Sequence, residues 1–303
     1  MTRSVAATAG VDWLKKAINL GRGNPGAVFG GAALGVIAMV AAMIGAALAQ
    51  WALVAALGTG AGMVLGAVLT TVVVLVAVSM LLVGFLRLLD AAESGRPARA
   101  TGVFAGFGDL PTSLRVIGLT LLLTVLQYAV LALVLAVLAR GALEWYLRMV
   151  MASPETLDPS MLALPDGLGI ATVLSIALGL VFYGAQAIGT GQIALRGRGV
   201  FAAVADGFTG AFRNLPALLV LLVAVIAAAV VVAILGVIVA MVVGVLAKFA
   251  GAWLFVALGV PLYLAFMLAV WVVAFGVAYH LWRDVCGGAG DARLPVEPVA
   301  VGA

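Results

Sequence analysis

The sequence predicts an all-α, polytopic membrane protein: six transmembrane helices as three parallel-repeat hairpins, each preceded by a cytoplasmic interfacial amphipathic helix. Three observations predict it. Of 303 residues, 66% are hydrophobic and only 9% charged, against about 25% charged in a soluble domain. Six apolar stretches each reach the roughly 20 residues that cross a bilayer as a helix. A short segment after the second stretch also recurs after the fourth. With a mean hydropathy of +1.30, most of the surface must face lipid. The same composition excludes disorder and a collagen-like chain, and the single cysteine, Cys286, excludes a disulfide scaffold.

The elements follow in order. Residues 27–50 form the first expected span, read as a retained helix because no small-residue cleavage site follows it. Residues 60–89, 113–139 and 167–195 form the next three. The fifth, 215–247, is long enough to tilt or protrude. The sixth, 252–282, contains Pro261, which removes one backbone hydrogen bond and is expected to kink the helix toward its outer end. Residues 1–285 read as one membrane domain with repeat units of about 10–95, 96–195 and 196–285, and residues 286–303 as a flexible cytoplasmic tail.

Charge placement sets the expected topology. Arg3, Lys15, Lys16, Arg22, Arg87, Arg96, Arg99, Arg115, Arg196, Arg198, Arg213, Arg283 and Arg293 fall on one side. Only Arg140, Arg148 and Lys248 fall on the other. The positive-inside rule then places both termini in the cytoplasm of a bacterial inner membrane. The net charge of +4 follows from that bias. No dense basic cluster points to nucleic acid. Glu155, Asp158 and Asp166 lie in the longest outer loop. Trp51, Trp145 and Trp253 are expected at the outer interface, Trp13 and Trp282 at the inner one, and mid-span Trp271 in packing.

The repeat aligns Arg99-Ala-Thr-Gly102-Val-Phe-Ala-Gly-Phe-Gly-Asp109 with Arg196-Gly-Arg-Gly199-Val-Phe-Ala-Ala-Val-Ala-Asp206, without a gap, at a spacing of 97. A looser third copy begins at Gly10. Each reads as an interfacial helix. Val11, Leu14, Ile18 and Leu20 would face acyl chains in the first, with Lys15, Lys16 and Arg22 at headgroups. Val103, Phe104 and Phe107 serve the second, between Arg96, Arg99 and Arg115. Val200, Phe201, Val204 and Phe208 serve the third, flanked by Arg196, Arg198 and Arg213. The Gly-x-x-x-Gly pairs Gly26/Gly30, Gly31/Gly35, Gly58/Gly62 and Gly62/Gly66 point to close helix packing, within the chain before a dimer.

Chemistry-bearing residues are few. One His and one Cys cannot supply an ordinary zinc or copper shell, and neither a Gly-x-Ser-x-Gly nucleophile nor a phosphate loop is present. No metal, cofactor or catalytic residue is therefore assigned, and an enzyme is not expected. Two candidate sites remain. Arg87, Arg196 and Arg283 end the even-numbered spans and would gather into an anionic headgroup site if the hairpins share an axis. Gln127, Tyr183 and Gln186 could line a polar cavity, or Gln127 and Gln186 could simply hydrogen-bond neighbouring helices. The favoured function is a non-enzymatic lipid-interacting or assembly protein. Its partners would be membrane lipids, with a protein partner or a second copy as further candidates. The alternative is a permease or channel for a small neutral or apolar solute.

Asp12-Trp13-Leu14-Lys15-Lys16-Ala17 with Arg22-Gly23-Asn24-Pro25, then Gly106-Phe107-Gly108-Asp109, Ala211-Phe212-Arg213-Asn214 and Tyr279-His280-Leu281-Trp282-Arg283-Asp284 resemble an uncharacterised proteobacterial inner-membrane family. More distantly, the chain is similar to membrane domains attached to some glycerophosphodiester phosphodiesterases. The resemblance spans nearly the whole chain on short motifs and implies six spans behind an amphipathic start. It implies no activity and carries over no catalytic residue, since the soluble phosphodiesterase domain has no counterpart here.

Overall fold

The computed structural model describes residues 2–151 and 163–287. Glu155, Asp158, Arg293 and most of the expected tail lie outside the described residues. Nine α-helices and one 3-10 turn make up the described chain, with no strand among these residues. They are α1 (Ala9–Ile18), α2 (Pro25–Leu57), α3 (Thr59–Glu93), the 3-10 turn Ala100–Gly106, α4 (Leu110–Leu138), α5 (Ala142–Met151), α6 (Leu168–Arg196), α7 (Val200–Arg213), α8 (Leu215–Ala250) and α9 (Ala252–Cys286). Six of them, α2, α3, α4, α6, α8 and α9, are long and apolar enough to cross a membrane.

The spans run several residues beyond the apolar stretches because polar ends continue the helix. Asn24 caps α2 by accepting from the Ala27 amide at 3.1 Å, and Asp109 caps α4 by accepting from Thr112 at 3.2 Å. Pro25 and Pro111 then occupy first-turn positions, where a missing N–H costs little. Glycine turns two corners in one residue: Gly58 (φ 80°) between α2 and α3, and Gly251 (φ 94°) between α8 and α9. These backbone angles are strained for any residue with a Cβ. α9 continues through Pro261 to Cys286.

α2 packs along α3, α4 along α6, and α8 along α9. The glycine pairs serve the first of these contacts. A Cβ on Gly62 would lie 2.4 Å from Val54 Cα, and one on Gly66 2.4 Å from Gln50 Cγ. The two helices therefore meet backbone to backbone at Gly62, and Gly66 makes room for the Gln50 side chain. Gly31 and Gly35 face Leu88 and Trp271, whereas Gly26 faces open space.

The protein core sits at the end where α3, α6 and α9 finish. α3 is buried over Leu81–Leu89 positions, α6 from Gly184 to Ala194, and α9 around Val277, Tyr279, Leu281 and Val285. Phe85, Trp271 and Phe275 fill it, with Phe275 edge-on to both other rings and 4.6 Å from Trp271. At the opposite end a small buried cluster joins Val134, Ala139, Ala142 and Ala171, and most other positions are exposed, including many over 230–242 of α8 and 256–267 of α9.

Each short segment lies against two long helices: the 3-10 turn on α2 and α3, α7 on α4 and α6, and α1 on α8 and α9. This corrects only part of the expectation that their apolar faces meet acyl chains, since Ile18, Phe104, Phe107 and Phe201 stay exposed. Leu14, Leu20 and Val103 are buried inside the protein, while Val200, Val204 and Phe208 pack partly against the core. Trp13 and Trp282, expected in the headgroup layer, are 0% and 5% exposed. The second segment is a 3-10 turn rather than an α-helix. Gly106 and Gly108 disfavour helix there, where the aligned α7 positions are Ala203 and Ala205.

The alignment of Asp109 with Asp206 is also corrected. Asp109 caps α4, but Asp206 lies inside α7, where it accepts from Gln192 at 2.9 Å and Arg198 at 3.0 Å. Asn214 takes the corresponding place, one residue before the Leu215-Pro216 start of α8.

Candidate functional site

The three helix ends that carry Arg87, Arg196 and Arg283 meet, and each reaches its neighbour. From α3, Arg87 donates Nε–H to the Ala194 carbonyl of α6 at 3.1 Å and pairs with Asp109 at 2.6 Å. From α6, the Arg196 guanidinium lies over the Trp282 indole of α9, 5.8 Å from its centre. From α9, Tyr279 donates its hydroxyl to Asp90 of α3 at 3.0 Å, and Arg283 covers the Tyr279 ring at 5.9 Å. These contacts close a cycle from α3 to α6 to α9 and back to α3. Arg87 and Arg196 work between helices, whereas Arg283 lies over Tyr279 of its own helix, and Tyr279 makes the contact from α9 to α3.

The acidic partners Asp90 and Asp284 are legible in the sequence beside these arginines, at the ends of the second and sixth spans, but did not enter the candidate sites. Asp109 stands one residue before Leu110-Pro111, a helix-start signature. The Arg87 guanidinium, then the Thr112 hydroxyl and amide, hold its carboxyl below the ordinary value of 3.8. Asp90 also pairs with Arg96. Asp284 accepts the buried Trp13 indole N–H at 3.0 Å and the Lys16 ammonium at 3.1 Å.

The N-terminal residues complete this end. The Arg3 amide donates to the Val285 carbonyl at 2.9 Å, and its guanidinium donates to the Asp284 carbonyl. Asn214 clamps this N-terminal segment from the other side. Its Oδ1 accepts from the Val5 amide at 2.8 Å, and its Nδ2 donates to the Arg3 carbonyl at 3.0 Å. Arg213 donates to the Thr2 carbonyl at 2.9 Å. The first helix cap plays a similar part: Asn24 Nδ2 donates to Ala98, just before the 3-10 turn, at 3.2 Å.

A cleft of about 370 Å³ opens between the α3 and α6 ends, lined by Arg87, Asp90, Arg96, Ile193, Ala194, Leu195 and Gly197. Beside the core, Gln192 Oε1, His280 Nε2 and Trp282 Nε1 are buried without a hydrogen-bond partner. At the rim, Ile18 is 61% exposed, Phe201 83% and Phe212 61%, and Phe104 and Phe107 are exposed too. Exposed Lys15, Arg22, Arg99, Arg115, Arg198 and Arg213 share these segments.

The proposed polar cavity is not gathered in the same way. Gln186 donates to Thr120 at 3.0 Å and Thr190 at 3.3 Å, joining α6 to α4. Gln127 is exposed and Tyr183 is 39% exposed, and no hydrogen bond links the three among the described residues. No cluster of His, Cys, Asp or Glu suited to a metal occurs among the described residues. Comparisons with family models, curated proteins and solved structures give no match.

Proposed function

We propose that this is a non-enzymatic inner-membrane protein that works at its cytoplasmic headgroup face, as a lipid-interacting scaffold. The observation that carries the reading is the rim: three connecting segments at one end of six apolar helices each pair exposed apolar side chains with exposed basic ones. Rings and aliphatic tips suit the acyl boundary, and guanidinium and ammonium groups suit phosphates just outside it. The bias of basic residues toward this end supports its being cytoplasmic.

The proposal includes three parallel hairpin units, α2–α3, α4–α6 and α8–α9, closing cyclically. Each short segment then docks on the hairpin of the preceding unit, and α1 closes the ring on the third. Kinship with the six-span inner-membrane family fits this layout. The conduit reading draws no support from Gln127, Tyr183 and Gln186.

The test is lipid retention. The full chain, extracted in mild detergent, is analysed by native mass spectrometry beside a Phe201→Ser/Phe212→Ser double variant. The reading expects bound phospholipid on the wild type and less on the variant at equal thermal stability. A wild type that keeps no phospholipid contradicts it.

A further inference from the structure

The cleft between α3 and α6 carries groups of both signs, and that composition narrows what it can take. Arg87 is fixed on one wall by the Ala194 carbonyl and Asp109. Arg96 has an exposed guanidinium and reaches Asp90, which also receives the Tyr279 hydroxyl. Leu195 and Gly197 bring in the last turn of α6. The carbonyls of a final helical turn lack donors within the helix, and that end of the helix dipole is negative; in α6 the Ile193 carbonyl takes the Gly197 amide at 3.0 Å. The Ala194 carbonyl already draws in Arg87 and the Gly197 carbonyl draws in Arg115, at 3.2 Å.

A simple anion entering the cleft would gain Arg87 and Arg96 but face Asp90 and the negative end of α6. A simple cation would meet two guanidinium groups. A group with a phosphate and an ammonium a few bonds apart meets an opposite charge at each end. We propose that the cleft binds phosphoethanolamine, with its phosphate on Arg96 and Arg87 and its ammonium on Asp90 and the α6 terminal carbonyls. A primary ammonium offers three N–H donors to those acceptors; the quaternary ammonium of choline offers none. The cleft volume of about 370 Å³ accommodates a headgroup but not its acyl chains, which would lie along the apolar helices outside. The inference rests on the lipid-contacting reading above and specifies the headgroup. It also replaces an anionic site at Arg87, Arg196 and Arg283 with a zwitterionic one at Arg87, Arg96 and Asp90.

The chemistry is shared by phosphatidylethanolamine and by free phosphoethanolamine. Native mass spectrometry of the detergent-solubilised full chain, offered equal amounts of phosphatidylethanolamine, phosphatidylcholine and phosphatidylglycerol, separates the alternatives. Phosphatidylethanolamine is expected to be retained about tenfold over either competitor, as one charge-assisted hydrogen bond more would give. Asp90→Asn is expected to abolish that preference and raise phosphatidylglycerol retention. Because Asp90 also holds Tyr279, Arg96→Gln serves as a second variant at an exposed position. It is expected to lower phosphatidylethanolamine retention with an unchanged melting temperature. Displacement of the lipid by free phosphoethanolamine supports the site with the headgroup alone sufficient; retention against it supports the site with the whole lipid as ligand. Equal retention of the three lipids, or a preference unmoved in both variants, overturns the inference while leaving the broader reading standing. Retention of no phospholipid overturns both.

Discussion

Gly84→Ala tests the packing that holds the 3-10 turn against α3. A Cβ on Gly84 would lie 1.9 Å from the Val103 carbonyl oxygen, and the reciprocal Gly106 position 2.0 Å from that of Met80. Ordinary contact begins near 3.4 Å, so one backbone must withdraw from the other by about 1.5 Å. The atoms in the way are main chain, and no rotamer change relieves them. Withdrawal also loosens Val103, which is fully buried. Overpacking of this kind costs about 1–3 kcal/mol and sometimes more. Against this stands the helix-propensity gain of Gly→Ala, about 0.5–1 kcal/mol. Gly236 and Gly244 of α8 isolate that gain, since nothing lies within 4 Å of a Cβ at either. In detergent, thermal unfolding should therefore move in opposite directions for the same chemical change. Gly84→Ala should fall by several degrees, at roughly 2–4 °C per kcal/mol, while Gly236→Ala should hold or rise. Equal midpoints for the two variants would refute the close approach.

Asp109→Asn keeps a capping oxygen but loses the Arg87 ion pair. Because the folded carboxyl is held below 3.8, its contribution is complete above that value and fades as pH falls through the lower folded value. The stability gap between wild type and variant should accordingly close on acidification, and a gap unchanged well below 3.8 would contradict the pairing. Trp13→Phe leaves Asp284 without its buried indole donor and should cost about 1–3 kcal/mol; an unaltered melt would rule out that bond. Asn214→Ala frees the Arg3 and Val5 main chain, so limited proteolysis should cut the N-terminus faster, and unchanged cutting would count against the clamp. In a Cys286→Ser background, impermeant labelling of Arg99→Cys and Lys248→Cys should occur from opposite membrane faces. Labelling from one face would overturn the topology.

The spans were legible because lipid imposes one requirement along each of them, a continuous apolar run with its backbone satisfied internally. Their ends were less legible. Asn24 and Asp109 mark true starts, but only when the following proline is read as a first-turn residue. The buried faces of the interfacial segments were misread for a physical reason. Periodicity distinguishes an apolar face from a polar one, but not a protein neighbour from an acyl chain. Trp13 and Leu14 therefore looked like membrane anchors when they pack on α8 and α9. Small residues carry the missing information: Ala203, Gly207, Gly210 and Ala211 are buried on α7, leaving Phe201 and Phe212 outside. The basic residues at the ends of the even-numbered spans were visible, but their engagement was not. Arg87 reaches a carbonyl 107 residues away, and Tyr279 an acid 189 away, separations for which a single sequence holds no local signal.

The most direct test of a headgroup-level working face is the depth of Phe212. A spin label at Phe212→Cys, with Cys286→Ser, is reconstituted in phospholipid bilayers and its collision rates are measured with oxygen, concentrated in the acyl region, and with a water-soluble nickel chelate. The account predicts that oxygen dominates at Phe212, while a label at Arg99→Cys favours the chelate. Dominance of the chelate at Phe212 would place α7 in water and contradict it.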